Sequence, residues 1–194
     1  RFNANTSFVE LPWSGSGMPP QTDSRMMSLF GACWTAGSLK YLCQAGADSI
    51  TYFETAGERG IIQGDCDPRW PSEFPSEKGM IFPVFHVFRF LMGYKQLSLV
   101  RCASSRPLIA DSLALSDGKQ GHMLLVNFTG DTQKIKLECC TGLVRLRSLN
   151  ADSYAEAASD NRWTGINNEK ILKAQDIFEI GPLSLNFIEG WLKH

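Results

Sequence analysis

Histidine is scarce, long apolar runs are missing and neither sign of charge dominates, so several functional classes fall away at the outset. With only His86, His122 and His194 in 194 residues, no zinc-like cluster can be proposed, and no metal or other cofactor is assigned. The apolar stretch from Phe82 to Met92 falls short of the roughly 20 residues that span a bilayer, and His86 and Arg89 interrupt it, which argues against a membrane role. Nineteen basic and 20 acidic residues give a formal net charge of −1, with no basic stripe for nucleic acid or an anionic membrane surface.

The six cysteines, at 33, 43, 66, 102, 139 and 140, have neither the paired short spacing of a zinc site nor the density of a disulfide scaffold. They read as free thiols of a reducing compartment, so a cytoplasmic location is expected, with a secreted or periplasmic one left open. Asn5-Thr6-Ser7 and Asn127-Phe128-Thr129 match the glycosylation sequon, a short pattern of little weight alone. The start at Arg1, without an initiator Met or a charged-then-apolar leader, reads as a start inside a longer protein.

What is present is an ordinary globular composition, 43% hydrophobic and 20% charged. Residues 4–22 hold Ser14-Gly15-Ser16-Gly17 and Pro12, Pro19 and Pro20, which predict a long loop; no phosphate-loop lysine accompanies the glycines. Asp23 and Ser24 offer capping oxygens, and Met26, Leu29, Phe30, Cys33, Trp34, Tyr41 and Leu42 recur near helical period. A helix over residues 24–45 is expected, stopped by Gly46. Its other side, with Gly31, Ala32, Thr35, Ala36, Gly37 and Ser38, invites close approach, so the helix reads as wedged between neighbours.

Residues 49–54, Ser-Ile-Thr-Tyr-Phe-Glu, read as a strand buried on both faces. A helix feeding such a strand is half of a βαβ unit. A second Gly- and Pro-rich loop covers residues 55–79, and a helical pattern resumes over 80–92. From Leu97 the period becomes two, with short runs at 108–115, 122–128, 134–137, 143–149 and 183–188 separated by Asp117-Gly118, Thr129-Gly130-Asp131 and Thr141-Gly142. These runs predict an antiparallel β-sandwich, interrupted over 150–175 by a loop with one helical turn. The expected fold class is thus α/β plus all-β, with a partial barrel unit over residues 1–95 and a sandwich over 96–194.

This order resembles the C-terminal part of clan-A-type glycoside hydrolases, in which a (β/α)8 barrel precedes a β domain. More specifically, Arg1-Phe2-Asn3, residues 27–42 from Met27-Ser28-Leu29 to Lys40-Tyr41-Leu42, Ile50-Thr51-Tyr52-Phe53-Glu54-Thr55-Ala56-Gly57 and residues 79–87 resemble D-apionate lactonase. The resemblance implies that residues 1–3 end the seventh barrel strand, that residues 50–54 form the eighth, and that the remaining barrel lies upstream in the same protein. It also implies a hydrolase acting on a small carbohydrate or sugar lactone. A clan-A-type glycosidase and a non-catalytic carbohydrate-binding or interdomain module are the alternatives. A barrel cut in this way is expected to be inactive alone and to self-associate through unpaired edges.

Glu54 is the catalytic candidate, because carboxyl ends of barrel strands gather catalytic groups and a carboxylate there can bind hydroxyls or act as a base on water. Pairing with Arg59 would instead make it structural. The planar fork of Arg59 suits a sugar-acid carboxylate or a developing oxyanion. Arg1 and Asn3, at the end of the preceding strand by the resemblance, and the aromatic residues Trp13, Tyr52, Trp70 and Phe74 are candidate substrate contacts. His86 reads as a satisfied core histidine, and Cys139-Cys140 as packing.

Overall fold

The structure, a computed structural model, describes residue 15, residues 17–94 and residues 96–192. Two helices come first. A 3-10 turn over Ser24–Met27 is capped by Asp23, whose carboxylate accepts from the Arg25 amide at 2.9 Å. Helix α1 then restarts at Leu29–Gln44, with Ser28 Oγ accepting from the Gly31 amide at 3.2 Å. The single expected helix is therefore broken at Ser28, whose extended backbone ends the 3-10 turn and whose hydroxyl caps α1. It ends as expected, with Gly46 at a φ of +80°. Helix α2, Pro83–Met92, places proline at its first turn, where the missing N–H costs nothing.

Among the described residues eight strands follow, β1 Ser98–Val100, β2 Ala110–Ser116, β3 Gly121–Asn127, β4 Gln133–Ile135, β5 Cys140–Leu149, β6 Lys170–Lys173, β7 Phe178–Ile180 and β8 Leu185–Leu192, with a short helix α3, Tyr154–Ser159, between β5 and β6. Six form one antiparallel sheet in the order β1-β2-β3-β8-β5-β6, and β4 pairs with β7 in a second, two-stranded sheet.

Alternation along the strands divides the core between two faces. Leu113, Leu115, Leu124, Val126, Leu185 and Phe187 face the helices, joining Ala32, Cys33, Ala36, Leu39, Phe82, Val84 and Val87. Ala114, Met123, Leu125, Val144, Leu146 and Ile188 face the opposite way, beneath Ile135, Leu137, Phe178 and Ile180 of the β4–β7 layer. Coverage on both faces explains why β3, Gly-His-Met-Leu-Leu-Val-Asn, is buried at every residue.

Two expectations need correction. No barrel strand forms at residues 49–54, and no closed barrel exists among the described residues. This segment runs irregularly, with Ile50, Tyr52 and Phe53 packed on the helix-side core. No described strand lies beside it, and a strand without a ladder partner gains nothing from being extended. Nor is α1 wedged on two sides. Its small face is the buried one, whereas Trp34 and Tyr41 are 54% and 52% exposed. Within the expected loop over 150–175, α3 and the edge strand β6 form; β6 carries no strong apolar pattern because most of it faces solvent.

Buried polar groups tie these layers together. Lys40 of α1 pairs with Asp111 of β2, both nearly inaccessible, and the Tyr41 hydroxyl donates to the other Asp111 oxygen at 2.9 Å. His86 Nε2 lies 2.9 Å from the Ala157 carbonyl, so it carries the proton and fastens α2 to α3. Burial holds the His86 pKa below the usual histidine range. Asn127 is fully buried, and its Nδ2 donates to the Asp131 and Gly181 carbonyls at 2.7 Å each. The amide nitrogen that a sequon would offer is thus committed to the fold. Asn5 lies outside the described residues.

Candidate functional site

The loop after residue 53 is shaped by its own backbone. The Glu54 amide donates to the Arg59 carbonyl at 3.1 Å, the Gly57 amide to Ile62 at 2.9 Å and the Gly60 amide to Gly57 at 2.8 Å. A Cβ on Gly60 would stand 2.7 Å from three backbone atoms of Ala56, so only glycine lets the loop close this tightly. Closure brings Arg59 Nη2 to 2.7 Å from Glu54 Oε1. Glu58 points inward instead, is buried, and accepts from the Arg69 amide at 2.8 Å, pinning the far side of the loop.

Phe53, immediately before Glu54, has a φ of +52°. A non-glycine residue in this left-handed region costs about 1–3 kcal/mol and persists only where its surroundings impose it. Here the ring is held 5.3 Å from Tyr52 and 6.4 Å from Phe88, and the strained turn aims Glu54 away from the core.

Beside the pair lies a cleft of about 440 Å³ lined by Asp23, Arg25, Phe30, Trp34, Phe53 and Arg59, among others. Asp23 and Arg25 form a second ion pair at 2.6 Å, and the Arg25 guanidinium holds the Asp23 carboxyl below its usual range. The cleft therefore combines two guanidinium groups, the Asp23 carboxylate and exposed aromatic surface from Trp34, with Glu54 reached through Arg59 at its edge. Such a set offers donors and acceptors to hydroxyl or carboxylate groups, with an apolar wall for carbon-bound hydrogens.

Of the sequence candidates, the fold brings Glu54 and Arg59 together in the pairing that a structural role would also require. Tyr52 is turned away, its hydroxyl 2.6 Å from Ser38 Oγ and its ring against Phe88 at 5.9 Å. Phe74 is fully buried, edge-on to Phe82 at 5.7 Å, and so cannot stack on a ligand. Trp70 is half-buried, its carbonyl accepting from the Glu73 and Phe74 amides. Arg1, Asn3 and Trp13 lie outside the described residues.

Asp23, Arg25 and Trp34 were missed as site residues because their patterns read as a helix cap and a core stripe. Within that stripe Cys33 is buried, whereas Trp34, Tyr41 and Leu42 are exposed. Among the described residues, no group of three His, Cys, Asp or Glu side chains is placed to hold a metal, and no helix is long and apolar enough to cross a membrane. A second cleft of about 410 Å³ lies between α2 and the sheet, but its charges are engaged in the fold. Arg147 pairs with Glu189 at 2.7 Å, and Arg89 donates to the Trp163 carbonyl.

Residues 1–96, just under half of the chain, match the family model of the D-apionate lactonase TIM barrel domain. Among solved structures, a conserved exported protein from Bacteroides fragilis superposes with a TM-score of 0.59 at 15% identity, covering 92% of this chain and 37% of that one. A GH30 endoxylanase from Clostridium papyrosolvens gives 0.55 at 10% identity over 87% and 39% of the two chains. A GH39 β-xylosidase from Caulobacter crescentus gives 0.51 at 15% identity over 91% and 42%. At these identities the likeness is one of fold. The chain spans about two fifths of the length of these structures. No curated protein matches it.

Proposed function

We propose that this chain is part of a carbohydrate-acting hydrolase, a sugar-acid lactonase of the D-apionate lactonase type, with Glu54 and Arg59 in its substrate site. The observation that carries the reading is the 2.7 Å Glu54–Arg59 pair beside a cleft, within the segment that matches the lactonase barrel model.

The chemistry follows from the two groups. Lactone hydrolysis needs a water activated against a carbonyl carbon and a donor for the oxygen on which charge develops. Glu54 is 54% exposed, so its carboxylate can accept a proton from a water at the cleft. Arg59, one hydrogen bond away, directs N–H donors toward the carbonyl oxygen or toward the carboxylate of the sugar-acid product. Trp34 supplies an exposed ring face for the apolar side of a sugar. Arg1, Asn3 and Trp13 are assigned as further substrate contacts, and the upstream barrel of the same protein as the rest of the site. The isolated chain is accordingly expected to be inactive and to self-associate.

The test uses the intact enzyme. Proton release from aldonolactones, apionolactone among them, is compared with nitrophenol release from aryl glycosides. Lactone turnover that falls about 100-fold or more in Glu54→Gln supports the reading, and turnover unchanged in that variant removes Glu54. Glycoside turnover without lactone turnover replaces the lactonase by a glycosidase. Retention in a carbohydrate affinity gel with neither activity leaves a binding module.

A further inference from the structure

Three of the six cysteines converge at the core between the two sheets, and none of them lines the cleft. Cys102, just after β1, has its Sγ 3.6 Å from Cys139 Sγ, just before β5, although 37 positions separate them. This is van der Waals contact between sulfurs of two half-buried residues. Ser112 of β2 donates to Cys102 Sγ at 3.4 Å, and Cys140 Sγ lies 3.9 Å from Cys139 Sγ. The remaining thiols are elsewhere, with Cys33 sealed in the helix-side core.

We propose that Cys102 and Cys139 form a dithiol site that closes to a disulfide on exposure to a low-molecular-weight disulfide. Closing the gap to a bond of roughly 2.05 Å calls for side-chain rotation, since the sulfurs already touch. The Cys139–Cys140 contact does not compete, because the eight-membered ring of a vicinal disulfide is strained and β5 pairs Cys140 with Leu192.

The exchange balances in two steps. The Cys139 thiolate attacks one sulfur of the reagent disulfide, forming a mixed disulfide and releasing one thiol, which takes up the Cys139 proton. Cys102 then displaces the second reagent thiol, which carries away the Cys102 proton. The protein loses two hydrogens, and one reagent disulfide is reduced to two thiols. Cys139 leads because the S–H of Cys102 donates to it. That hydrogen bond pulls the Cys139 pKa down, while its contact with Cys140 and burial push it up, to about 11 on balance. Cys102 is pushed up more strongly, by the same hydrogen bond and by burial. Exchange is thus slow at neutral pH and faster above it.

The bond would join the segment following β1 to the base of β5, stapling the six-stranded sheet to the chain that carries the β4–β7 layer. The experiment incubates the folded chain with oxidised glutathione at pH 8.5, blocks remaining thiols and maps tryptic peptides by mass. The expected result is a peptide from residues 102–119 linked to one from residues 137–145, formed equally in Cys140→Ala and absent in Cys102→Ala and Cys139→Ala. The oxidised chain should melt on the order of 5–10 °C higher, and dithiothreitol should reverse the shift. Glutathione adducts without that cross-link, or a cross-link persisting in Cys139→Ala, overturn the assignment.

Discussion

Lys40 of α1 and Asp111 of β2, 71 positions apart in sequence, meet as a buried ion pair at the junction of helix and sheet. The carboxylate is shared further, by the Tyr41 hydroxyl at 2.9 Å and by the amide of Ser112 at 2.8 Å. With three partners on Asp111, this junction is specified by polar groups as well as by the apolar side chains around it.

Removing one partner leaves the other charge buried alone, which costs about 3–5 kcal/mol. Asp111→Ala is therefore expected to lower the unfolding free energy by that order in urea titrations. Lys40→Met combined with Asp111→Leu should recover most of the loss, because no uncompensated charge remains.

Asn127 donates twice and accepts from both the amide and the hydroxyl of Thr129, at 3.0 and 2.8 Å. Asn127→Ala removes all four bonds; the Asp131 and Gly181 carbonyls and the Thr129 hydroxyl keep other partners, but the Thr129 amide loses its acceptor, at a cost of about 1–3 kcal/mol. The measurement is the denaturant midpoint. Chain made in a glycosylating host should also carry no glycan at Asn127 once folded, as intact mass would reveal.

His86 is held below the ordinary histidine range, chiefly by burial. The unfolded chain therefore binds the proton more readily, and stability should fall as pH drops below about 6.5. His86→Gln, which keeps a donor for the Ala157 carbonyl, should flatten that slope between pH 6.5 and 5. An unchanged slope would assign the acid sensitivity to other groups.

Gly31 lines the cleft, and a Cβ there would sit 2.3 Å from the Arg25 carbonyl oxygen. Gly31→Ala gains up to about 1 kcal/mol of helix propensity but must push the 3-10 turn aside, at about 1–3 kcal/mol. The net expectation is a modest loss of stability together with displacement of the Asp23–Arg25 pair. In the intact enzyme, that displacement would raise KM more than it lowers kcat.

The sites of these changes show what could be read in advance. Period-two runs located β2, β3, β5 and β8 because each has a face to bury, and Asp117-Gly118 marked a hairpin turn that only a positive φ allows. The short strands β1, β6 and β7 escaped notice, since three or four residues at a sheet edge carry too little apolar pattern. Glu54 and Arg59 were both named, and their proximity could be suspected from five-residue spacing in a glycine-flanked loop. The outward turn of Trp34 could not, because a helical stripe does not say which of its sides will find a partner.

The sequence by itself determined the local choices: where glycine must stop α1 and where alternation must make strands. These depend on backbone sterics and side-chain periodicity, which act over a few residues. The tertiary structure alone decided that the small face of α1 lies against the sheet, that residues 49–54 stay irregular without a neighbouring strand, and that Lys40 meets Asp111 and Cys102 meets Cys139. Those outcomes depend on which distant segments compete to cover the same surface, and no local pattern records that competition.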